Sequence, residues 1–273
     1  MSFLRRFSRN LGGRAGLPRG KDGARAYAVG DIHGRLDLLN LMLAKIEADI
    51  AARPARRNFI VFLGDYIDRG PESAGVIERL RTYRPDNARP IFLAGNHEEV
   101  LLRILDGGGD NVLSSWFKFG GAECLQSYGL EPDFLRLLEE PAAIQLLQAK
   151  VPPAHREFLD ALGDTFRFGD YLFVHAGIRP GIAIDDQDRH DLRWIRDPFL
   201  TDAKEHGVMV VHGHTIVGQV EERPNRIAID TGAYRSCVLT ALAVEDEKRW
   251  FLSTSREELG EAAAHAQFVP DAP

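Results

Sequence analysis

The sequence predicts an α/β fold with a helical insertion, and three observations carry that expectation. Short apolar runs alternate with helical periodicity up to about residue 94, a rhythm that favours a parallel sheet. Helical spacing then dominates from about 98 to 165. Apolar strand-like runs return from Tyr171, so the last third is β-rich.

Ala26–Gly30 reads as a short buried strand. Leu36, Leu39, Leu43, Ile46 and Ile50 recur at helical spacing and predict an amphipathic helix over 36–51. Phe59–Leu63 is a second strand, closed by Gly64. Val76, Ile77, Leu80 and Tyr83 mark a second helix, and Pro90–Ala94 a third strand. Leu101, Leu102 and Leu105 predict a helix that stops at Gly107-Gly108-Gly109. Trp116–Tyr128 and Pro153–Leu162 also read as helices, so 98–165 is expected to lie as an insertion over one face. Further strands are expected at Tyr171–Val174, Val208–Val211, Ile227–Ile229, Val238–Val244 and Trp250–Leu252, the last two forming a hairpin across Glu245–Lys248. One domain over 25–255 is expected, between a basic flexible lead (1–24) and a tail (256–273) that is helical or loose.

Composition narrows the function classes. Hydrophobic residues form 44% of the 273, enough for a sizeable core. No stretch approaches the ~20 apolar residues of a membrane span. Two cysteines, Cys124 and Cys237, cannot build a disulfide framework and suit a reducing, cytoplasmic setting. Six basic residues against Asp22 give residues 1–22 a net charge of +5, which leaves −11 for the rest of a chain at −6. An acidic body argues against binding a nucleic-acid backbone, which needs a basic stripe. The lead lacks the apolar core of a secretory signal.

Chemistry-bearing residues recur just after the apolar runs, where open α/β sheets bind ligands. The clusters are Gly30-Asp31-Ile32-His33-Gly34, Gly64-Asp65-Tyr66-Ile67-Asp68-Arg69-Gly70, Gly95-Asn96-His97-Glu98, Val174-His175-Ala176-Gly177 and Val211-His212-Gly213-His214-Thr215. In an extended segment Asp31 and His33 project to the same side, with Ile32 turned to the core. A carboxylate with an imidazole suits a divalent metal. A single such cluster is commonplace, but five at strand ends in one chain point to a shared site.

The set resembles the calcineurin-like metallophosphoesterases, and more closely the bacterial branch of the serine/threonine phosphoprotein phosphatases, over residues 26–244. The resemblance implies a sandwich of two mixed β-sheets flanked by helices, with metals at one edge. It implies that Asp31 and His33 bind one metal, that Asp65 bridges two, and that Asn96, His175 and His214 complete the second. Manganese is the family expectation, although mixed oxygen and nitrogen ligands also admit Fe, Zn, Co or Ni. Two divalent cations lower the pKa of a shared water, so that metal-bound hydroxide can attack a phosphate ester near neutrality. The resemblance makes His97 the general acid, oriented by Asp68. Arg69 is expected to grip the phosphate through its planar fork. A second clamp is expected at Arg196 rather than Arg193, with Trp194 and Ile195 in the core. His212 departs from the Gly-His-x-His ending of many relatives, since Ile216 takes the second position; it is expected to support the site or the backbone rather than bind metal. Asp230-Thr231-Gly232-Ala233 is expected to form a supporting loop. His155, His190, His206 and His265 are expected at the surface.

The expected activity is hydrolysis of phosphomonoesters, with phosphoserine or phosphothreonine in proteins, or a small phosphoester, as substrate. The alternative is a nucleotide hydrolase acting on diadenosine tetraphosphate. Asp68 argues for the first, because a phosphoanhydride leaving group needs less help from a proton donor; the resemblance adds that in the tetraphosphate hydrolases this position is usually not acidic and the third motif tends to end in Asp rather than in a residue such as Glu98. A non-catalytic metal-binding scaffold would not need His97, Asp68 and Arg69 around the metals.

Overall fold

The computed structural model describes residues 16–260 except 55 and 110. Ten strands form two mixed five-stranded sheets. The first contains β1 (Ala24–Val29), β2 (Arg57–Phe62), β3 (Ala88–Phe92), β9 (Thr240–Glu245) and β10 (Lys248–Ser253), in the order β10-β9-β1-β2-β3. The second contains β4 (Thr165–Phe168), β5 (Tyr171–Val174), β6 (Met209–His212), β7 (Glu221–Glu222) and β8 (Arg226–Ala228), in the order β4-β5-β6-β8-β7. β1, β2 and β3 run parallel, as do β5, β6 and β8, so their carboxyl ends are aligned within each sheet.

Side-chain alternation explains the layering. Ala24, Ala26 and Ala28 face the second sheet, where Phe168, Tyr171 and Phe173 fill the space that the alanines leave. Tyr27 and Val29 point the other way, into a core shared with the helices. That core receives Leu38, Leu39, Met42, Leu43 and Ile46 of α1 (Leu36–Ala51), and Val76, Ile77 and Leu80 of α2 (Ser73–Arg81). The insertion packs on the same core as α3 (Asn96–Leu105), α4 (Val112–Phe117), α5 (Gly121–Ser127), α6 (Pro132–Leu135), α7 (Glu140–Lys150) and α8 (Pro153–Asp160). The outer face of the second sheet packs Val174 and Val210 against Leu192 of α9 (Arg189–Trp194), Ile195 and Phe199. α10 (Ala233–Ser236) precedes β9.

Several expectations need correction. The single helix expected over Trp116–Tyr128 is two, broken at Gly120, whose φ is +97°. The break brings Gly120 against the Arg69 backbone, where the Arg69 N–H donates to the Gly120 carbonyl at 2.9 Å. The strand expected from Val238 begins at Thr240, because Cys237 turns with φ +63°. α6, α7, α9, α10, β4 and β7 carry no clear periodicity, being short or, in α7, opened by Pro141 in the first turn and weakly amphipathic. Pro18 and Gly20 are buried, and the Gly20 N–H donates to Asp246, so ordered chain starts before the residue 25 expected. Most of the basic lead, residues 261–273 of the tail and His265 lie outside the described residues; 256–260 are helical. His155 is buried, not superficial: it bonds to the Tyr128 hydroxyl at 3.0 Å and to Glu78 at 3.1 Å. His206 is half-buried against Phe199, whereas His190 is exposed. Among the described residues no helix is long and apolar enough to cross a membrane.

Candidate metal centre

The loops after β1, β2, β3, β5 and β6 meet at one edge of the two sheets. Backbone hydrogen bonds lock them together: His33 N–H donates to Asp65 O at 2.9 Å, and Gly213 N–H to His175 O at 2.8 Å. Gly213 must be glycine, since a Cβ there would overlap the Asp31 carboxylate. Glu98 is the buried clamp. Its carboxylate accepts from the backbone N–H groups of Asp65 (2.9 Å), Tyr66 (2.8 Å), Ile67 (3.4 Å) and Gly95 (2.9 Å), tying the Asp65 loop to the start of α3. Burial and the Asp65 charge push the Glu98 carboxyl up to about 7.

His33 sits at φ +47°, not in the extended segment expected of it. Asp65, Asp68, Arg69 and His214 also have positive φ, so five of the eight such non-glycine residues described lie in this cluster. A left-handed non-glycine residue costs on the order of 1 kcal/mol. Strain is thus concentrated where the side chains converge.

Asp65 lies between two groups of imidazoles. Its Oδ2 is 3.6 Å from His33 Nε2 and 3.7 Å from His97 Nε2, and its Oδ1 is 3.3 Å from His175 Nε2. His33, Asp65 and His97 form one potential donor group, and Asp65, His175 and His214 another, each with ligand atoms within 4.8 Å of one another. Asn96 Oδ1 lies 3.1 Å from His175 Nε2 and 2.8 Å from His214 Nδ1. The tautomers are fixed from behind. His33 Nδ1 faces Ile67 O at 2.8 Å and His175 Nδ1 faces Leu63 O at 2.9 Å, so in each ring Nδ1–H donates and Nε2 turns a lone pair inward. Asp31 Oδ2 accepts the His214 N–H at 3.0 Å, which places its carboxylate beside the second group.

The electrostatics fit a cation site. Burial, with Asp230 and Asp65 nearby, pushes Asp31 well above the usual carboxylate range. Burial would raise Asp65 too, but at the acid end of the scale, where the surrounding imidazoles carry charge, His175, His97, His33 and His214 together hold it far below that range. Burial lowers His33, His175 and His214, the last to about 3, so all three are neutral donors. Asp31 Oδ1, Asp230 Oδ2 and His214 Nε2 are buried without a hydrogen-bond partner. Buried carboxylates with unused lone pairs among neutral imidazoles fit divalent cations.

Beside this cluster, His97 Nδ1 lies 2.5 Å from Asp68 Oδ2. Asp68 also accepts from the Trp116 indole N–H at 2.7 Å. Burial works against a charged His97, yet Asp65 and Asp68 outweigh it and hold the imidazole above its ordinary value. Arg69 lies 2.7 Å from His33 Nε2 and 3.1 Å from His97 Nε2, with its guanidinium 5.0 Å from the centre of the Tyr234 ring. Arg196 is exposed on a cavity of about 450 Å³ that opens from Asn96, His97 and His214. Arg193 is buried and ion-paired with Asp164 and Glu99. Trp194, expected in the core, is half-buried and lines the cavity, while Ile195 is buried as expected. His212 stands apart from both donor groups, edge-on to Phe199 with centroids 5.1 Å apart, and burial lowers it to about 4. Asp230, buried on the Asp230–Ala233 segment, lies close enough for its charge to push the Asp31 carboxyl up.

Trp116 and Tyr234 were not among the expected site residues. Trp116 carried only a helical core signal; Tyr234 follows the Asp230–Ala233 motif and could have been included with it.

The family model for calcineurin-like phosphoesterases matches residues 24–242. Among similar proteins, the asymmetrical bis(5'-nucleosyl)-tetraphosphatase PrpE of Anoxybacillus flavithermus is 25% identical, covering 78% of this chain and 88% of its own. Serine/threonine-protein phosphatase 1 of Salmonella typhimurium is 27% identical, covering 82% and 94%. A metallophosphoesterase structure from Sphaerobacter thermophilus superposes with a TM-score of 0.50 at 17% identity, over 90% of this chain and 95% of that one. Fold, donor cluster and matched length agree: the chain belongs to the calcineurin-like phosphoesterase family.

Proposed function

We propose that this chain is a dinuclear-metal phosphatase that hydrolyses phosphomonoesters, with phosphoserine and phosphothreonine in proteins as its substrates. The observation that carries the reading is the His97–Asp68 pair beside Asp65. An alkoxide is a poor leaving group unless it receives a proton, and a buried His–Asp pair supplies one.

Asp31, His33, Asp65, Asn96, His175 and His214 would hold the two cations, manganese being the expected metal. When bound, such cations supply positive charge that activates water and neutralises the phosphate. The remaining work falls to the chain's own residues. Asp68 accepts from His97 Nδ1–H and fixes the ring, so Nε2 faces the departing oxygen. Arg69 lies on Nε2 of both His33 and His97. Turned toward a phosphate, its fork would bind two oxygens and release both ring atoms, one for metal and one for the proton. Arg196, on the cavity wall, would approach the phosphate from that side. A cytoplasmic setting accords with two free cysteines.

A second reading, hydrolysis of dinucleoside tetraphosphates, draws on the likeness to the Anoxybacillus protein. Side-by-side rates on phosphopeptides, diadenosine tetraphosphate and p-nitrophenyl phosphate, with Mn²⁺ added, decide between them. Higher kcat/KM on the tetraphosphate would overturn the phosphomonoesterase reading, and no turnover of any of the three would favour a scaffold.

A further inference from the structure

The cavity beside the metal centre lies on the His97 side, where a protonated leaving group departs. Its volume, about 450 Å³, exceeds what a phosphate needs and falls in the range of sites that bury a larger group. His97, Val100, Arg103, Phe119, Trp194 and Arg196 contribute to its wall. Two indoles stiffen it: Trp116 N–H bonds to Asp68 at 2.7 Å, and Trp194 N–H to Glu99 at 3.1 Å. Phe119 is 61% exposed at this cavity, an apolar face without cover among the described residues.

His97, Val100 and Arg103 recur every third residue of α3 and share one face. Six residues of helical rise carry Arg103 about 9 Å beyond His97. Arg103 is exposed, lies against Gly109, and has no carboxylate partner among the described residues. Neighbouring Arg193, by contrast, is neutralised by Asp164 and Glu99. In an acidic body, a guanidinium on a preformed cavity with no carboxylate partner among the described residues attracts an anion.

We propose that this cavity is a leaving-group subsite for acidic phosphopeptides, in which Arg103 binds a carboxylate about three residues from the phosphoresidue. An extended chain advances about 3.3 Å per residue, so three residues span the 9 Å. An apolar side chain between the two charges packs on Phe119 and Trp194. This inference rests on the phosphomonoesterase reading and names its substrate class.

The test uses the full chain with Mn²⁺ and three sets of phosphoserine peptides that carry Asp, Ala or Lys three residues to either side of the phosphoserine. For one side, kcat/KM is expected to favour Asp over Ala about tenfold, through KM, and to place Lys lowest. The preference vanishes in Arg103→Ala and turns toward Lys in Arg103→Glu. Both variants change an exposed side chain, and unaltered melting temperatures check that they fold. Equal kcat/KM across the three peptides, or an Asp preference that survives both variants, overturns the subsite alone. Turnover of diadenosine tetraphosphate with no turnover of any peptide overturns the phosphomonoesterase reading and the subsite with it.

Discussion

Nδ1 of His97 lies 2.5 Å from Oδ2 of Asp68, and both groups are buried. The contact turns Nε2 of the same ring toward Asp65, 3.7 Å away. His97 and Asp65, the proposed proton donor and the proposed cation-binding carboxylate, are thereby held by one short loop and the first turn of α3.

Removing the donor should show in the leaving-group dependence. His97→Ala is expected to lower kcat by about 10²–10⁴-fold on phenyl phosphate and by much less on p-nitrophenyl phosphate, whose alcohol leaves unaided. Asp68→Asn removes a charge that favours the imidazolium, so the alkaline limb of kcat should move to lower pH. The sign follows from the role: the donor must carry its proton, and activity falls as pH rises through its pKa. Equal losses on the two esters for His97→Ala count against the assignment.

Asp65 is the one carboxylate shared by both donor groups. Asp65→Ala should therefore weaken both cation sites at once, which metal analysis after desalting measures. For each cation site, Mn²⁺ at about 100 times its Kd would stabilise the folded chain by about 2.7 kcal/mol. For a domain of this size that raises Tm by roughly 5–10 °C. A chelator is expected to erase the rise in the wild type and to leave the Tm of Asp65→Ala unchanged.

Much of this centre was legible in the sequence, because its residues sit in short fixed spacings at strand ends. The geometry behind them was less so. Asp31 and His33 looked alike in an extended segment, yet His33 turns with φ +47° and only Asp31 lies against His214. Glu98 belonged to a motif, but its four backbone partners depend on two loops 30 residues apart, and no spacing announces them. Trp116 shows a similar gap: its helical position signals burial, whereas its bond to Asp68 joins α4 to the loop after β2, a pairing that no periodicity announces. Arg196 and Arg193 are separable only by their partners, and those come from α3 and Asp164.

Glu98→Ala should cost more than a typical core substitution. It leaves buried backbone N–H groups of Asp65, Tyr66 and Gly95 without their acceptor, at about 1–3 kcal/mol each. Urea denaturation should show a loss of at least ~3 kcal/mol, with weaker Mn²⁺ binding because the Asp65 loop is released. Glu98→Gln, with one acceptor oxygen in place of two, should fall between. A Glu98→Ala chain of unchanged stability would mean that solvent reaches those groups.

The buried His155 supplies a pH dependence remote from the metals. Burial is the main cause of its lowered pKa, and the Glu78 carboxylate offsets it only in part. The neutral ring is satisfied at both nitrogens, by the Tyr128 hydroxyl and by Glu78. The unfolded chain takes up the proton near ~6.5, before the folded one does. Stability from this group is thus complete above that pH and is lost as pH falls toward the folded value. At saturating Mn²⁺, the urea midpoint of the wild type is expected to drop between pH 7.5 and 5.5. His155→Gln should start lower, having lost a fitted ring, and should drop less over the same interval. An equal drop in the two proteins would show that His155 is protonated in the fold as readily as outside it.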